Sequence, residues 1–224
     1  ATEDVSPMAG TPYEVKRVEV PLTADEKARY DEARALYLGF VRKLGVRLSA
    51  PEGWARFLAQ SQRSDEGRAA YRAYREQRRI ALTSSGKQEV LWRILLEHRE
   101  DRVLVFTDDN ETVYTLARRL LLPALTHHTP IPERKALLAA FASGELPVLL
   151  TSRVLNEGVD VPEARVGVVL SGSGSVREHV QRLGRILRKR PGKRAMLYEV
   201  CSAQTAESGI SERRRQHDAY LEEG

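Results

Sequence analysis

Apolar and polar positions follow two rhythms along this chain, and the change falls near Lys87. Ahead of it, "YEVKRVEVPL" alternates apolar and polar residues and predicts a strand that ends at Pro21. "TADE" then offers a capping box, Thr23 with Glu26, which opens a helix running to about Phe40. "GVRLSAPEGW" interrupts it, and a second helical region runs from about Trp54 to Leu82 with a break near Gly67. This stretch is polar and arginine-rich, with aromatic residues at Tyr71 and Tyr74.

Beyond Lys87, short apolar runs alternate with helical patterns of about ten residues. The order is a helix "KQEVLWRILLEH", a strand "RVLVFT", a helix "ETVYTLARRL", a short strand "ALTHHT" and a helix "PERKALLAAF". The strand "PVLLTS", the loop "RVLNEGVDVPEA", the strand "VGVVLS", the loop "GSGS" and the strand "RAMLYEV" complete the series. Such alternation predicts an α/β fold, a parallel sheet wrapped by helices. Ligands of these sheets sit at the carboxyl ends of the strands, so the loops after Thr107, Ser152 and Leu170 are the candidates.

Composition narrows the function classes. A length of 224 residues, 42% hydrophobic and 30% charged, is enough for one domain with a full core and a smaller subdomain. No apolar run approaches the ~18 residues of a membrane span, and "ATEDVSPMAG" lacks the layout of a secretion signal. The single Cys201 gives neither an internal disulfide nor a metal site, which fits a reducing cytosol. A net charge of +5 favours a polyanionic partner. The charge is uneven: residues 24–80 hold 13 Lys or Arg against 8 Asp or Glu, and residues 181–194 hold seven basic residues and no acid.

In that second basic stretch, "QRLGRILRKR", helical spacing puts Gln181, Arg185 and Arg188 on one stripe, while Val180, Leu183 and Leu187 form an apolar stripe away from it. Ser175 and Glu178 make a capping box that would open this helix. A solvated basic face remains the plain alternative. A phosphate loop needs G-x-x-x-x-G-K-[ST] between a strand and a helix. "SSGKQ" and "PGKRA" both fail that test, and no Asp-Glu pair sits at the end of an apolar strand where a magnesium ligand belongs. In "NEGVDVPEA", Gly158 would admit a close ligand and Asp160 would accept from a ribose hydroxyl; a simple Gly-Asp turn closed by Pro162 explains them as well. "SGSGS" is either an anion nest or a linker. His127 and His128 lack partners at ligand spacing, so no metal site is expected.

Taken in order, "VLVFTDDNE", "THHTPIPERKALLAAFASGE", "VLLTSRVLNEGVDVPEA" and "GVVLSGSGSVREHVQRLGRILR" resemble motifs IV, IVa, V and VI of superfamily 2 helicases. The last run is similar to the XPB family of DNA repair and transcription helicases. The resemblance implies a second RecA-like domain: a first strand at 13–23, a helical thumb insert at 24–82, the helicase C-terminal domain at 83–201 and a helical tail at 202–224. It also explains the missing phosphate loop, which in this family belongs to a preceding RecA-like domain.

Carried over by position, the resemblance makes Arg185 and Arg188 the residues that reach the γ-phosphate across a domain cleft, supported by Gln181. It places Gly158 and Asp160 near the nucleotide sugar, and Ser152, Thr151 and Thr107 at a DNA strand phosphate. The implied cofactor is ATP with Mg2+, held mainly by the preceding domain. The implied partners are single-stranded or forked DNA, that preceding domain and a repair nuclease. Movement is implied to run 3′ to 5′, in nucleotide excision repair or promoter opening, with cytoplasmic or nuclear residence and no membrane. The rival readings are another superfamily 2 translocase, of restriction or remodelling type, and a stand-alone DNA-binding module.

Overall fold

The computed structural model describes residues 2–6, 13–152, 164–170 and 195–208. The chain divides into two compact units, Leu22–Ser84 and the sheet-bearing remainder. The sheet has seven strands: β1 (Thr2–Ser6), β2 (Tyr13–Val20), β3 (Val103–Phe106), β4 (Ala124–Leu125), β5 (Val148–Thr151), β6 (Val166–Val169) and β7 (Ala195–Ser202). Their spatial order is β1-β2-β7-β6-β3-β5-β4. Every pairing is parallel except β1 with β2.

Helices cover both faces of this sheet, which is why β3 and β6 read as unbroken apolar runs with every residue buried. Leu104, Phe106, Leu149, Leu125 and Leu197 share one face with Phe141, Leu137 and Leu138 of α6 (Ile131–Ser143). Val103, Val105, Leu150, Val166 and Val168 share the other with α4 (Ser85–Glu97) and α5 (Asn110–Leu120). Val90, Leu91, Ile94 and Leu95 are the α4 contribution, and Val113 and Leu116 that of α5. The fold class is the α/β sheet flanked by helices that the alternation predicts.

The second unit consists of α1 (Ala24–Lys43), α2 (Gly53–Ser61) and α3 (Asp65–Leu82). Thr23 and Glu26 form the predicted capping box at the start of α1. Tyr37, Phe40, Val41, Phe57, Ala70 and Ala73 make its own buried cluster.

The local pattern misplaces three features. The break expected near Gly67 lies at Gln62–Ser64, where Ser64 caps α3 by accepting from the Gly67 amide at 3.0 Å. Gly67 itself serves close packing: a Cβ there would lie 2.8 Å from the Ser61 backbone. The strand expected over "ALTHHT" shrinks to Ala124–Leu125, because the residues after it turn through the Thr126–Thr129 hydrogen bond. β1 has no counterpart in the sequence reading; "TEDVS" is too polar to announce a strand and pairs at a sheet edge.

Candidate functional site

The strands bring the candidate loops to one level. Phe106 pairs with Thr151 on one side and Val169 on the other, and Leu125 pairs with Thr151. The chain therefore leaves β6, β3, β5 and β4 side by side, at Leu170, Thr107, Ser152 and Thr126. Main-chain bonds fix that edge: the Thr107 amide donates to the Thr151 carbonyl at 2.9 Å, and the Leu170 amide to the Phe106 carbonyl at 2.9 Å.

The hydroxyls at this edge are already engaged. Thr107 donates to the Asp109 carbonyl at 2.9 Å, and Thr151 to the Ser152 carbonyl at 3.0 Å. Both shape the turns that leave their strands. Ser152 donates to Oδ1 of Asn110 at 2.6 Å, while the Asn110 amide donates to Nδ1 of His127 at 2.8 Å. This relay joins the end of β5, the first residue of α5 and the segment after β4. Asp109 caps α5 by accepting from the Thr112 amide at 2.8 Å, so the positive end of that helix faces the same edge. Tyr114 of α5 and Thr126 share a 2.7 Å hydroxyl hydrogen bond that fixes the next turn.

Asn110 is the residue that sequence reasoning passed over. Its partners lie 42 and 17 positions away, beyond the reach of any periodicity, and only the "TDDNE" context marked its neighbourhood. The histidine pair, too, is placed: His127 sits in the relay, its ring centroid 3.8 Å from that of His128. Among the described residues no group of His, Cys, Asp or Glu is arranged to hold a metal ion.

Lys87, the lysine of "SSGKQ", is buried with 1% of its side chain exposed. Its ammonium donates to the Glu207 carboxylate at 2.7 Å and to the Leu170 carbonyl at 3.2 Å. Glu207 also accepts from the Ser202 amide at 2.9 Å. Gly86 precedes it because a Cβ there would come within 2.5 Å of Val20 Cγ1. The Gly-Lys pair is thus a packing and ion-pair element under the ends of β6 and β7.

Of the sequence-predicted site residues, Thr107, Thr151 and Ser152 come together at this edge. Gly158, Asp160, Gln181, Arg185 and Arg188 lie outside the described residues.

Residues 85–221 match a family model described as ERCC3/RAD25/XPB C-terminal helicase. A DNA 3′-5′ translocase XPB2 of Sulfurisphaera tokodaii is 38% identical over 204 residues, covering 91% of this chain and 46% of that protein. A DNA 3′-5′ helicase XPB of Kineococcus radiotolerans is 36% identical over 142 residues, covering 62% of this chain and 26% of that protein. The chain therefore spans less than half the length of these relatives. Among solved structures, the C-terminal part of the Fun30 ATPase domain superposes with a TM-score of 0.60 at 13% identity, over 90% of this chain and 89% of that one. That likeness concerns the fold, which is RecA-like.

Proposed function

This chain belongs to the ERCC3/RAD25/XPB C-terminal helicase family, and from that premise we propose that it is the second motor domain of an ATP-dependent DNA translocase or helicase running 3′ to 5′. The observation that carries the reading is the level edge formed by β6, β3 and β5, from which the segments resembling motifs VI, IV and V depart. The XPB resemblance adds a setting in DNA repair or promoter opening.

In this reading the chain supplies one half of a nucleotide site. Lys87, bound to Glu207, is not available to phosphates, and no carboxylate cluster for Mg2+ stands among the described residues. A preceding RecA-like domain would hold Mg2+ and ATP, whose hydrolysis supplies the energy of domain closure. On closure, Arg185 and Arg188 donate to charge developing on the transferred phosphoryl group, and Gln181 orients them. Gly158 and Asp160 receive the sugar. Ser152, backed by Asn110 and flanked by Thr151 and Thr107, takes a strand phosphate, and the 24–82 insert acts as a basic thumb. Opening and closing would then advance these contacts along one strand.

The test is steady-state hydrolysis. This chain alone should be inactive, and joining it to the preceding domain should restore DNA-stimulated turnover. Arg185→Ala or Arg188→Ala should then lower kcat by roughly 10³ to 10⁵. Arg185→Lys should rescue poorly, because a point charge cannot replace a planar fork. Arg190→Ala, off the stripe, is the control. Equal tolerance of substitution at 185 and 190 would sink the reading.

A further inference from the structure

The helical unit carries an aromatic surface that the motor reading leaves unused. Trp54 of α2 lies 4.7 Å, centroid to centroid, from Tyr74 of α3, and Tyr71 stacks 6.4 Å from Tyr74 at an interplanar angle of 24°. The Arg78 guanidinium lies 5.8 Å from the Tyr74 ring centroid and donates to the Tyr74 hydroxyl at 3.1 Å. Tyr71, Tyr74, Arg75 and Arg78 are spaced i, i+3, i+4 and i+7, so one face of α3 carries two phenol rings followed by two guanidinium groups.

Buried rings back this surface. Phe57 lies 5.2 Å from Trp54, and Tyr37 lies 5.1 Å from Tyr74; they are 0% and 5% exposed. Trp54 nevertheless keeps 37% of its surface exposed, and Tyr71 and Tyr74 are only half-buried. Trp54, the largest ring, is also the most exposed of the cluster.

Charge selects the occupant. Leu22–Ser84 holds 13 Lys or Arg against 8 Asp or Glu, an excess of +5. Four of its eight carboxylates form ion pairs within the unit: Asp65 with Arg68, Glu66 with Lys43, Asp31 with Lys27, and Glu76 with both Arg29 and Arg79. Exposed Arg56, Arg63 and Arg72 meet no carboxylate among the described residues. A platform of rings on a unit with an excess of guanidinium groups matches a polyanion that also offers flat π faces. In a duplex those faces are hidden in the stack, whereas in a single strand they are open.

We propose that Trp54, Tyr74 and Tyr71, with Arg78, form a base-stacking platform for single-stranded DNA. The inference rests on the motor reading for its DNA but adds a contact to bases where that reading invokes phosphates. Trp92→Phe, in the other unit, leaves Trp54 as the sole tryptophan and hence a fluorescent reporter. That protein is titrated with an oligo-dT and with an abasic oligonucleotide of equal length and charge. The oligo-dT should quench Trp54 and bind roughly 5- to 150-fold more tightly than the abasic strand, the range that about 1–3 kcal/mol of stacking gives. Trp54→Leu keeps an apolar contact to Phe57 but lacks a stacking face. With unchanged helical content, it should lose most of the preference for oligo-dT over the abasic strand, the remainder resting on Tyr74 and Tyr71, and leave abasic binding intact. Equal affinity for the two strands, or a dT preference undiminished by Trp54→Leu, overturns the platform while DNA binding stands. Absence of binding to either strand removes the DNA reading and the platform with it. Equal quenching by poly-glutamate would show a site for acidic polypeptide and likewise overturn it.

Discussion

The Lys87 ammonium lies 2.7 Å from the Glu207 carboxylate and joins α4 to the segment after β7, 120 positions on. A cation so deeply buried is tolerated because it has acceptors, among the described residues Glu207 and the Leu170 carbonyl. Removing one partner takes away the counter-charge of the other. Lys87→Met should therefore destabilise the sheet-bearing unit by about 3–5 kcal/mol. The double variant Lys87→Met with Glu207→Leu should recover much of the loss, less the contribution of the hydrogen bond that the Ser202 amide makes to Glu207. Urea melts of the four proteins measure this; single and double variants of equal stability would contradict it.

Two glycines should respond to alanine with opposite signs. Both lie inside helices, where alanine is favoured by up to about 1 kcal/mol. At Gly39 in α1 an added Cβ meets nothing within 4 Å, so Gly39→Ala should stabilise the helical unit. At Gly67 the Cβ meets Ser61 Cα and O at 2.8 Å and Gln60 O at 3.0 Å, all backbone atoms that cannot step aside. Gly67→Ala should cost about 1–3 kcal/mol of strain, outweighing its propensity gain. Thermal unfolding followed by circular dichroism decides between the signs.

These cases mark how far the sequence could be read. Buried parallel strands such as "VLVF" and "VGVV" declare themselves because both faces are covered, and the capping box at Thr23 is a local signal with a local cause. The Gly-Lys of "SSGKQ" fails as a phosphate loop on sequence alone, but only the fold reveals that Glu207 claims Lys87. The Ser152–Asn110–His127 relay and the Trp54–Tyr74 contact are likewise invisible along the chain, since each joins residues separated by 17 or more positions. At the candidate site, the strand ends were legible, but not the partners of their hydroxyls.

The lone thiol should be inert in the folded protein. Burial pushes Cys201 up to about 11; the nearby Lys87 ammonium opposes this and the Glu19, Glu207 and Glu199 carboxylates reinforce it. The nucleophile is the thiolate, so labelling by a disulfide reagent at pH 8 should be far slower in the native state than in urea. The same shift has a stability consequence. The fold favours the protonated thiol, so this contribution is complete below pH 9.0 and is lost as pH rises towards about 11. Cys201→Ser should weaken that part of the alkaline decline. Rapid native labelling at pH 8 would show that the thiol is not buried as described.

Ser152 separates a neutral DNA contact from a charged one. Its hydroxyl hydrogen is committed to Asn110 Oδ1, so a strand phosphate would have to draw it away, and the Asn110–His127 bond keeps Asn110 in place meanwhile. A hydrogen bond to a charged group contributes about 1.5–3 kcal/mol, offset by about 0.5–1.5 kcal/mol for the Asn110 bond given up, so Ser152→Ala should weaken DNA binding by several-fold. No cation is lost, however, and the slope of log K against log salt should stay as in the parent. Arg63→Ala in the helical unit should do the reverse, with a modest loss of affinity at low salt and a slope shallower by about 1. Anisotropy titrations at several salt concentrations give both quantities for each variant. A changed slope in Ser152→Ala, or an unchanged affinity, would remove Ser152 from the DNA contact and leave it a structural link between β5 and α5.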